Sequence, residues 1–299
     1  MAGIILLDGG MGQELIRRSS QPPSPLWSAK VLMDEPEIVE AVHRDFIDAG
    51  ARVLTLNAYS ATPERLARDA SEDLFKPLQA KAVAVALAAR GDRQITIAGC
   101  LPPLHGSYYP EWAPAFEECL ATYRRVVAEQ RAAVDVFVCE TLSSVKEVRA
   151  AVQAGVETGK PVWCGMSVMD ADGTRLRSGE DLELAAGAAA DAGAQAVLIN
   201  CSWPEAVTQG QAILARTGLA HGGYANGFTK ADDLGIGGTV TALKARTDLD
   251  PEAYGDHVME WIEAGATIVG GCCEVGPAHI AHLANRLVQS GHELKGALN

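Results

Sequence analysis

Residues 182–201 read LELAAGAAADAGAQAVLINC. The stretch divides into three parts. Residues 182–192 carry a helical pattern. Gly193 supplies the left-handed conformation that closes a helix. Residues 196–200 form a short apolar run of the kind found in strands buried on both faces. Cys201 follows directly. Helix, glycine exit and buried strand read as part of a β/α repeat.

The exit recurs elsewhere. Asp48-Ala49-Gly50-Ala51, Asp191-Ala192-Gly193-Ala194 and Glu263-Ala264-Gly265-Ala266 each end a helical pattern and lead within a few residues to an apolar run. The surrounding sequences are not close repeats. Apolar runs rich in Val, Ile and Leu stand at 4–7, 53–57, 95–100, 136–139, 162–168, 196–200, 220–225 and 267–269. Helical patterns between them include 37–49, 116–133, 145–158, 182–192, 205–217, 251–264 and 277–290. Asp250-Pro251-Glu252 and Gly276-Pro277 place proline in a first helical turn. Eight such units at about 37 residues each predict a (β/α)8 TIM barrel, a single domain over residues 1–299. A doubly wound open sheet is the rival. It would place G-x-G-x-x-G after its first strand, where this chain has Asp8-Gly9-Gly10-Met11-Gly12. In a barrel the site lies where strands run into helices. The long loops 8–35, 101–113, 169–180 and 226–250 all follow strands, which agrees.

Composition narrows the partners. Asp and Glu number 38 against 25 Lys and Arg, for a net charge of −13. A general nucleic-acid binder needs a basic face and is disfavoured. Apolar residues at 48% and charged residues at 21% fit a globular chain rather than a disordered one. The first five residues lack a basic segment, and the apolar stretch 184–199 is broken by Asp191 and Gln195. The expectation is a cytoplasmic protein with reduced thiols and no membrane partner. Nothing in the sequence marks a subunit interface.

Seven cysteines cannot all pair. Cys201 follows the sixth apolar run, and Cys272 and Cys273 follow the eighth through Gly270-Gly271. Strands six and eight flank strand seven, whose Gly222-Gly223 adds little bulk between them. Three thiolates from two strand ends can form a zinc site with an open fourth position. The alternative is three small buried side chains. Cys119, Cys139 and Cys164 read as core, whereas Cys100 ends a strand and can face the site. Asp8, Asn57, Glu140 and Asn226 also stand at strand ends. Two acids and two amides there suit a polar small molecule, with the acids facing an ammonium group. Amides of the Gly9–Gly12 turn can accept a carboxylate.

With these residues in hand, the chain resembles the homocysteine S-methyltransferases, including the S-methylmethionine- and betaine-dependent enzymes. The matching pieces run in order from residue 7 to residue 273. They are Leu7-Asp8-Gly9-Gly10-Met11-Gly12-Gln13-Glu14-Leu15, Leu26-Trp27-Ser28-Ala29-Lys30-Val31-Leu32, Ala49-Gly50-Ala51, Tyr59-Ser60-Ala61-Thr62-Pro63, Cys139-Glu140-Thr141, Asn200-Cys201 and Gly270-Gly271-Cys272-Cys273. The resemblance implies zinc held by Cys201, Cys272 and Cys273, with homocysteine sulfur in the fourth position. It implies methyl transfer from an onium donor to that sulfur, giving methionine. Asp8 and Glu140 would hold the amino group, and amides near Gly10 and Met11 the carboxylate. Trp27 and Tyr59 are candidates for the onium donor, because aromatic faces attract alkylated cations. Ordinary loop packing is the alternative for both. Tyr59 is also a candidate to approach zinc in the empty site.

The Leu-Trp-Ser-Ala-Lys segment is most similar to the S-methylmethionine-using branch. Betaine, dimethylsulfoniopropionate and a seleno-acceptor are the alternatives, as is a non-catalytic zinc or amino-acid sensor on the same fold. Three places depart from the family's pattern. They are Gly99-Cys100-Leu101-Pro102-Pro103, Thr141 after Glu140, and the stretch 227–250. The aromatic loop 105–112 reads equally as a lid or as packing, and His221 reads as structural.

Overall fold

Eight parallel strands close into a ring. In chain order, β1 (Gly3–Leu6), β2 (Val53–Thr55), β3 (Thr96–Leu101), β4 (Val136–Leu142) and β5 (Val162–Met166) come first. An antiparallel hairpin of β6 (Val168–Met169) and β7 (Asp172–Leu176) follows. Then β8 (Ala196–Asn200), β9 (Ala220–Tyr224) and β10 (Ile268–Val269) complete the ring, and β11 (Glu293–Lys295) ends the chain. The computed structural model describes residues 3–235 and 243–298. Residues 236–242, within the long loop expected at 226–250, lie outside the described residues.

The ring runs β1-β10-β9-β8-β5-β4-β3-β2. A parallel bridge from Leu7 to Val53 closes it. There Arg52 N donates to Leu6 O at 2.8 Å, and Asp8 N to Val53 O at 3.1 Å. Side chains alternate as strands require. Ile5, Leu7, Val53, Ala98, Val136, Val138 and Leu198 share one cluster inside the barrel. Ile4, Leu6, Leu54, Ile97, Phe137, Val197 and Ile199 belong to the layer between strands and helices.

Eleven helices are described. The chain runs from α1 (Met11–Arg18), α2 (Ser28–Asp34) and α3 (Pro36–Asp48) to α4 (Pro63–Asp69), α5 (Phe75–Arg90) and α6 (Phe116–Gln130). It continues through α7 (Val145–Val156), α8 (Leu182–Asp191), α9 (Pro204–Ala215), α10 (Pro251–Glu263) and α11 (Pro277–Gln289). The three Ala-Gly-Ala exits share one geometry. Gly50, Gly193 and Gly265 have φ of 110°, 97° and 100°. At each, the glycine N–H bonds three residues back and the next N–H five residues back. That is the Schellman closure, and it turns the chain toward the following strand. No helix among the described residues is long and apolar enough to cross a membrane.

Several expected boundaries shift. The loop expected at 8–35 contains α1 and α2, both short and without a side-chain N-cap bond. The run at 162–168 breaks at Ser167, whose N–H bonds Leu142 O at 2.8 Å and leads into the hairpin. A further strand lies beyond the last helical pattern at 277–290. Glu293–Lys295 pairs with Gly3–Ile5 of β1, and Leu298 packs against the cluster inside the barrel.

Candidate active site

Two glycine turns interlock at the top of β1 and β10. A Cβ on Gly270 would stand 2.6 Å from Leu7 Cβ, and one on Gly9 2.2 Å from Val275 O. Gly271 N donates to Asp8 O at 3.0 Å, and Gly10 N to Val275 O at 2.8 Å. From the other side, Cys272 N bonds Ala225 O at 2.9 Å, and Gly227 N bonds Cys273 O at 2.8 Å. The cysteine pair therefore hangs between the ends of β1 and β9. Cys201, past β8, is tied to β9 through Tyr224 O at 3.1 Å.

The three thiols meet. Cys201 Sγ lies 2.9 Å from Cys272 Sγ and 3.9 Å from Cys273 Sγ. All three sulfurs lie within 4.8 Å of one another, a spacing that could hold one metal ion. Hydrogen bonds from Cys272, then Cys273 and Tyr108, hold the Cys201 thiol well below its usual range. The same contact with Cys201 pushes Cys272 and Cys273 up. One sulfur thus takes the first negative charge and resists its neighbours' ionisation. A divalent cation would relieve that conflict.

Two acids, Asp8 buried and Glu140 half-buried, share the cavity with the thiols. Asp8 Oδ2 accepts from Thr55 N at 2.9 Å, and Glu140 Oε1 from Cys100 Sγ at 2.8 Å. Burial pushes Asp8 up to about 8, and the nearby Glu140 adds to the rise. Burial likewise pushes Glu140 up to about 7. Both groups gain by meeting a cation. The cavity has about 830 Å³ of empty space, part of it open to solvent. That suits small molecules. None of the described residues lining it is Lys, Arg or His.

Trp27, Tyr59, Gly10 and Met11 also line the cavity. The Trp27 and Tyr59 rings meet edge to face at 6.0 Å. Gly12 lies under Trp27, where a Cβ would fall 2.1 Å from the indole. The Arg65 guanidinium sits 5.1 Å from the Tyr59 ring centre, so a cation already covers part of that ring. Tyr59 Oη bonds Ser107 Oγ at 2.8 Å. The phenol on the thiol cluster is instead Tyr108, whose Oη lies 3.0 Å from Cys201 Sγ. The aromatic loop at 105–112 thus contributes Tyr108 to the site, while Trp112 is exposed.

The two amides expected to meet a carboxylate already have backbone partners. Gly10 N is bonded to Val275 O, and Met11 N closes an inverse γ-turn onto Gly9 O at 2.9 Å. The next amides, of Gly12 and Gln13, stand in the first turn of α1, where a helix offers no acceptor. Gln13 is buried, lines the cavity, and neither its Oε1 nor its Nε2 has a hydrogen-bond partner. Asn226 is not brought into the cavity lining. It is fully buried, and its Oδ1 caps the local turn by accepting from Phe228 N at 3.0 Å. His221 lies off the cavity, near Gly265.

Asn200 and Thr141 stand in the quoted family pieces, but the sequence assigned them no role. Asn200 Oδ1 accepts from Thr141 N at 2.7 Å, and its Nδ2 donates to Thr141 Oγ1 at 2.9 Å. This clamp fixes the turn that presents Glu140. The five described non-glycine residues with positive φ are Trp27, Tyr108, Thr141, Cys201 and Glu274. Four line the cavity and the fifth follows Cys273. Each costs about 1–3 kcal/mol, and such strain gathers at functional sites.

Fold and site together define a (β/α)8 barrel with a three-thiol cluster able to hold a metal. A sequence model of the family described as Homocysteine S-methyltransferase matches residues 5–287. Homocysteine S-methyltransferase of Escherichia coli (strain K12) is 31% identical over 95% of each chain. Selenocysteine Se-methyltransferase of Brassica oleracea var. italica is 27% identical, covering 96% of this chain and 89% of that one. The metallated form of the homocysteine methyltransferase MmuM from Escherichia coli superposes with a TM-score of 0.78 at 29% identity, over 95% of this chain and 96% of that one. The chain belongs to the homocysteine S-methyltransferase family, enzymes acting on small-molecule substrates.

Proposed function

We propose that the chain transfers a methyl group from an onium donor, S-methylmethionine first, to the sulfur of L-homocysteine, at a zinc ion held by Cys201, Cys272 and Cys273. The observation that carries this reading is the thiol cluster beside two acids, Asp8 and Glu140, in one cavity. Three soft sulfur ligands with a position left for substrate match zinc's preference. Bound there, zinc supplies a lowered thiol pKa, so the acceptor is a thiolate at neutral pH.

The chain's own residues do the rest. Asp8 and Glu140 hold the ammonium of homocysteine. The first-turn amides of Gly12 and Gln13, with the Gln13 carboxamide, hold its carboxylate in place of the Gly10 and Met11 amides. Trp27 and the uncovered side of Tyr59 form a corner for the alkylated cation. The acceptor sulfur attacks the methyl carbon in line. The donor sulfur leaves with the bonding pair as a neutral thioether. No protein base is required, and the gain comes from alignment.

Charge supports the donor choice. Among the described residues, the cavity lining carries carboxylates and thiols and no basic side chain. S-methylmethionine carries a net positive charge at neutral pH, whereas betaine is net neutral. The test is homocysteine consumption with S-methylmethionine, betaine and dimethylsulfoniopropionate, each in turn. The highest kcat/KM is expected with S-methylmethionine. Faster turnover with betaine would contradict the donor assignment, and binding without turnover across the panel would favour a sensor.

A further inference from the structure

We propose that Arg177 is a positioning residue for Cys201, fixing that sulfur's place in the metal cluster. The inference rests on the metal-binding reading above. Cys201 has φ of 52°, a left-handed conformation that an L side chain rarely adopts. Something must hold it there. The Cys201 carbonyl oxygen accepts from Arg177 Nη2 at 3.3 Å and from Ser167 Oγ at 3.4 Å. On the other side, Tyr108 Oη lies against Cys201 Sγ.

One guanidinium organises both sides. Arg177 Nε donates to Ser167 Oγ at 2.7 Å, so it also places the second partner of the carbonyl. Its Cζ lies over the Tyr108 ring, 4.6 Å from the ring centre. The side chain is only 4% exposed and is paired with Asp170 at 3.1 Å. Asp170 Oδ1 accepts in turn from Trp203 N at 2.9 Å, two residues beyond Cys201. Arg177 follows β7 and Asp170 stands in the turn between β6 and β7, so this pair ties the hairpin's turn to its exit. A planar, forked cation suits the task, since it bonds in its plane and stacks with its face. The hairpin, which adds nothing to the barrel wall, thereby acquires a purpose beside the site.

The test uses the full chain loaded with cobalt(II) or zinc. Thiolate-to-cobalt charge-transfer absorption reports the number of bound sulfurs, and chelator competition gives the zinc affinity. Arg177→Met is expected to lose about a third of the charge-transfer intensity and to bind zinc about 10- to 100-fold more weakly, the range for removing a residue that orients a ligand. Arg177→Lys keeps the charge but not the fork, and should fall between it and the unaltered protein. Arg175→Met, at an exposed neighbour on β7, should change neither readout. A folded Arg177→Met protein with full intensity and unaltered zinc affinity would overturn the proposal. If that variant does not fold, an Arg177→Lys protein with unaltered values would do the same. An unaltered chain that binds neither ion would instead overturn the metal reading itself.

Discussion

The main chain of Cys272 occupies the space that a side chain on Gly10 would need. A Cβ there would stand 2.5 Å from the Cys272 carbonyl oxygen and 3.1 Å from Cys273 Cα. The first strand end and the last are thus fitted backbone to backbone, and the cysteine pair depends on the glycine. Gly10→Ala is predicted to cost about 1–3 kcal/mol through overpacking. It should also weaken zinc binding at least tenfold, as read by chelator competition. Gly187 in α8 has no neighbouring atom within 4 Å, and Gly187→Ala should gain about 1 kcal/mol from helix propensity alone. Unchanged melting and metal affinity in Gly10→Ala would contradict the fit.

Asp8 and Glu140 give stability and binding opposite pH trends. Their folded pKa values, about 8 and about 7, lie above the ordinary carboxylate range of about 4. Between those limits the folded chain holds more protons than the unfolded one, so ligand-free stability falls as pH rises. The contribution is complete below pH ~4 and is lost through pH 7–8. Thermal melting of the metal-free protein from pH 5 to pH 9 should therefore decline less steeply in Asp8→Asn. Ammonium binding needs the ionised acids, so KM for homocysteine should fall from pH 6 to pH 8. A KM that rises over that range would count against these two residues.

Much of this site follows from strand placement. Cys201, Cys272, Cys273, Asp8 and Glu140 were legible because short apolar runs and Ala-Gly-Ala exits locate the strand ends, where a barrel keeps its chemistry. Other parts rest on contacts without a local pattern. Arg177 and Tyr108 reach Cys201 from distant loops. β11 has one apolar residue and pairs through its main chain, so periodicity does not reveal it. α1 carries Gly12 where Trp27 must pass, and α2 begins after Trp27 at φ 48°, so neither start has an ordinary cap. Asn226 stands outside the cavity lining with its Oδ1 on Phe228 N, since a strand-end amide serves a turn as readily as a ligand.

Gln13 offers a test of substrate orientation. Its buried, unpartnered carboxamide lies in the first turn of α1, beside amides without intrahelical acceptors. Gln13→Ala should raise KM for homocysteine about tenfold, the range for a hydrogen bond to a charged group. Methylation of 3-mercaptopropylamine, which lacks the carboxylate, should be unaffected. An equal loss for both acceptors would mean that Gln13 serves the fold.

The central claim is that Cys201, Cys272 and Cys273 hold a zinc ion on which methyl transfer to homocysteine depends. The most direct measurement is zinc per chain, followed alongside homocysteine consumption with S-methylmethionine, before and after chelation. The account predicts about one zinc per chain, loss of turnover with its removal, and recovery when zinc is returned. Full turnover from a zinc-free chain would contradict it.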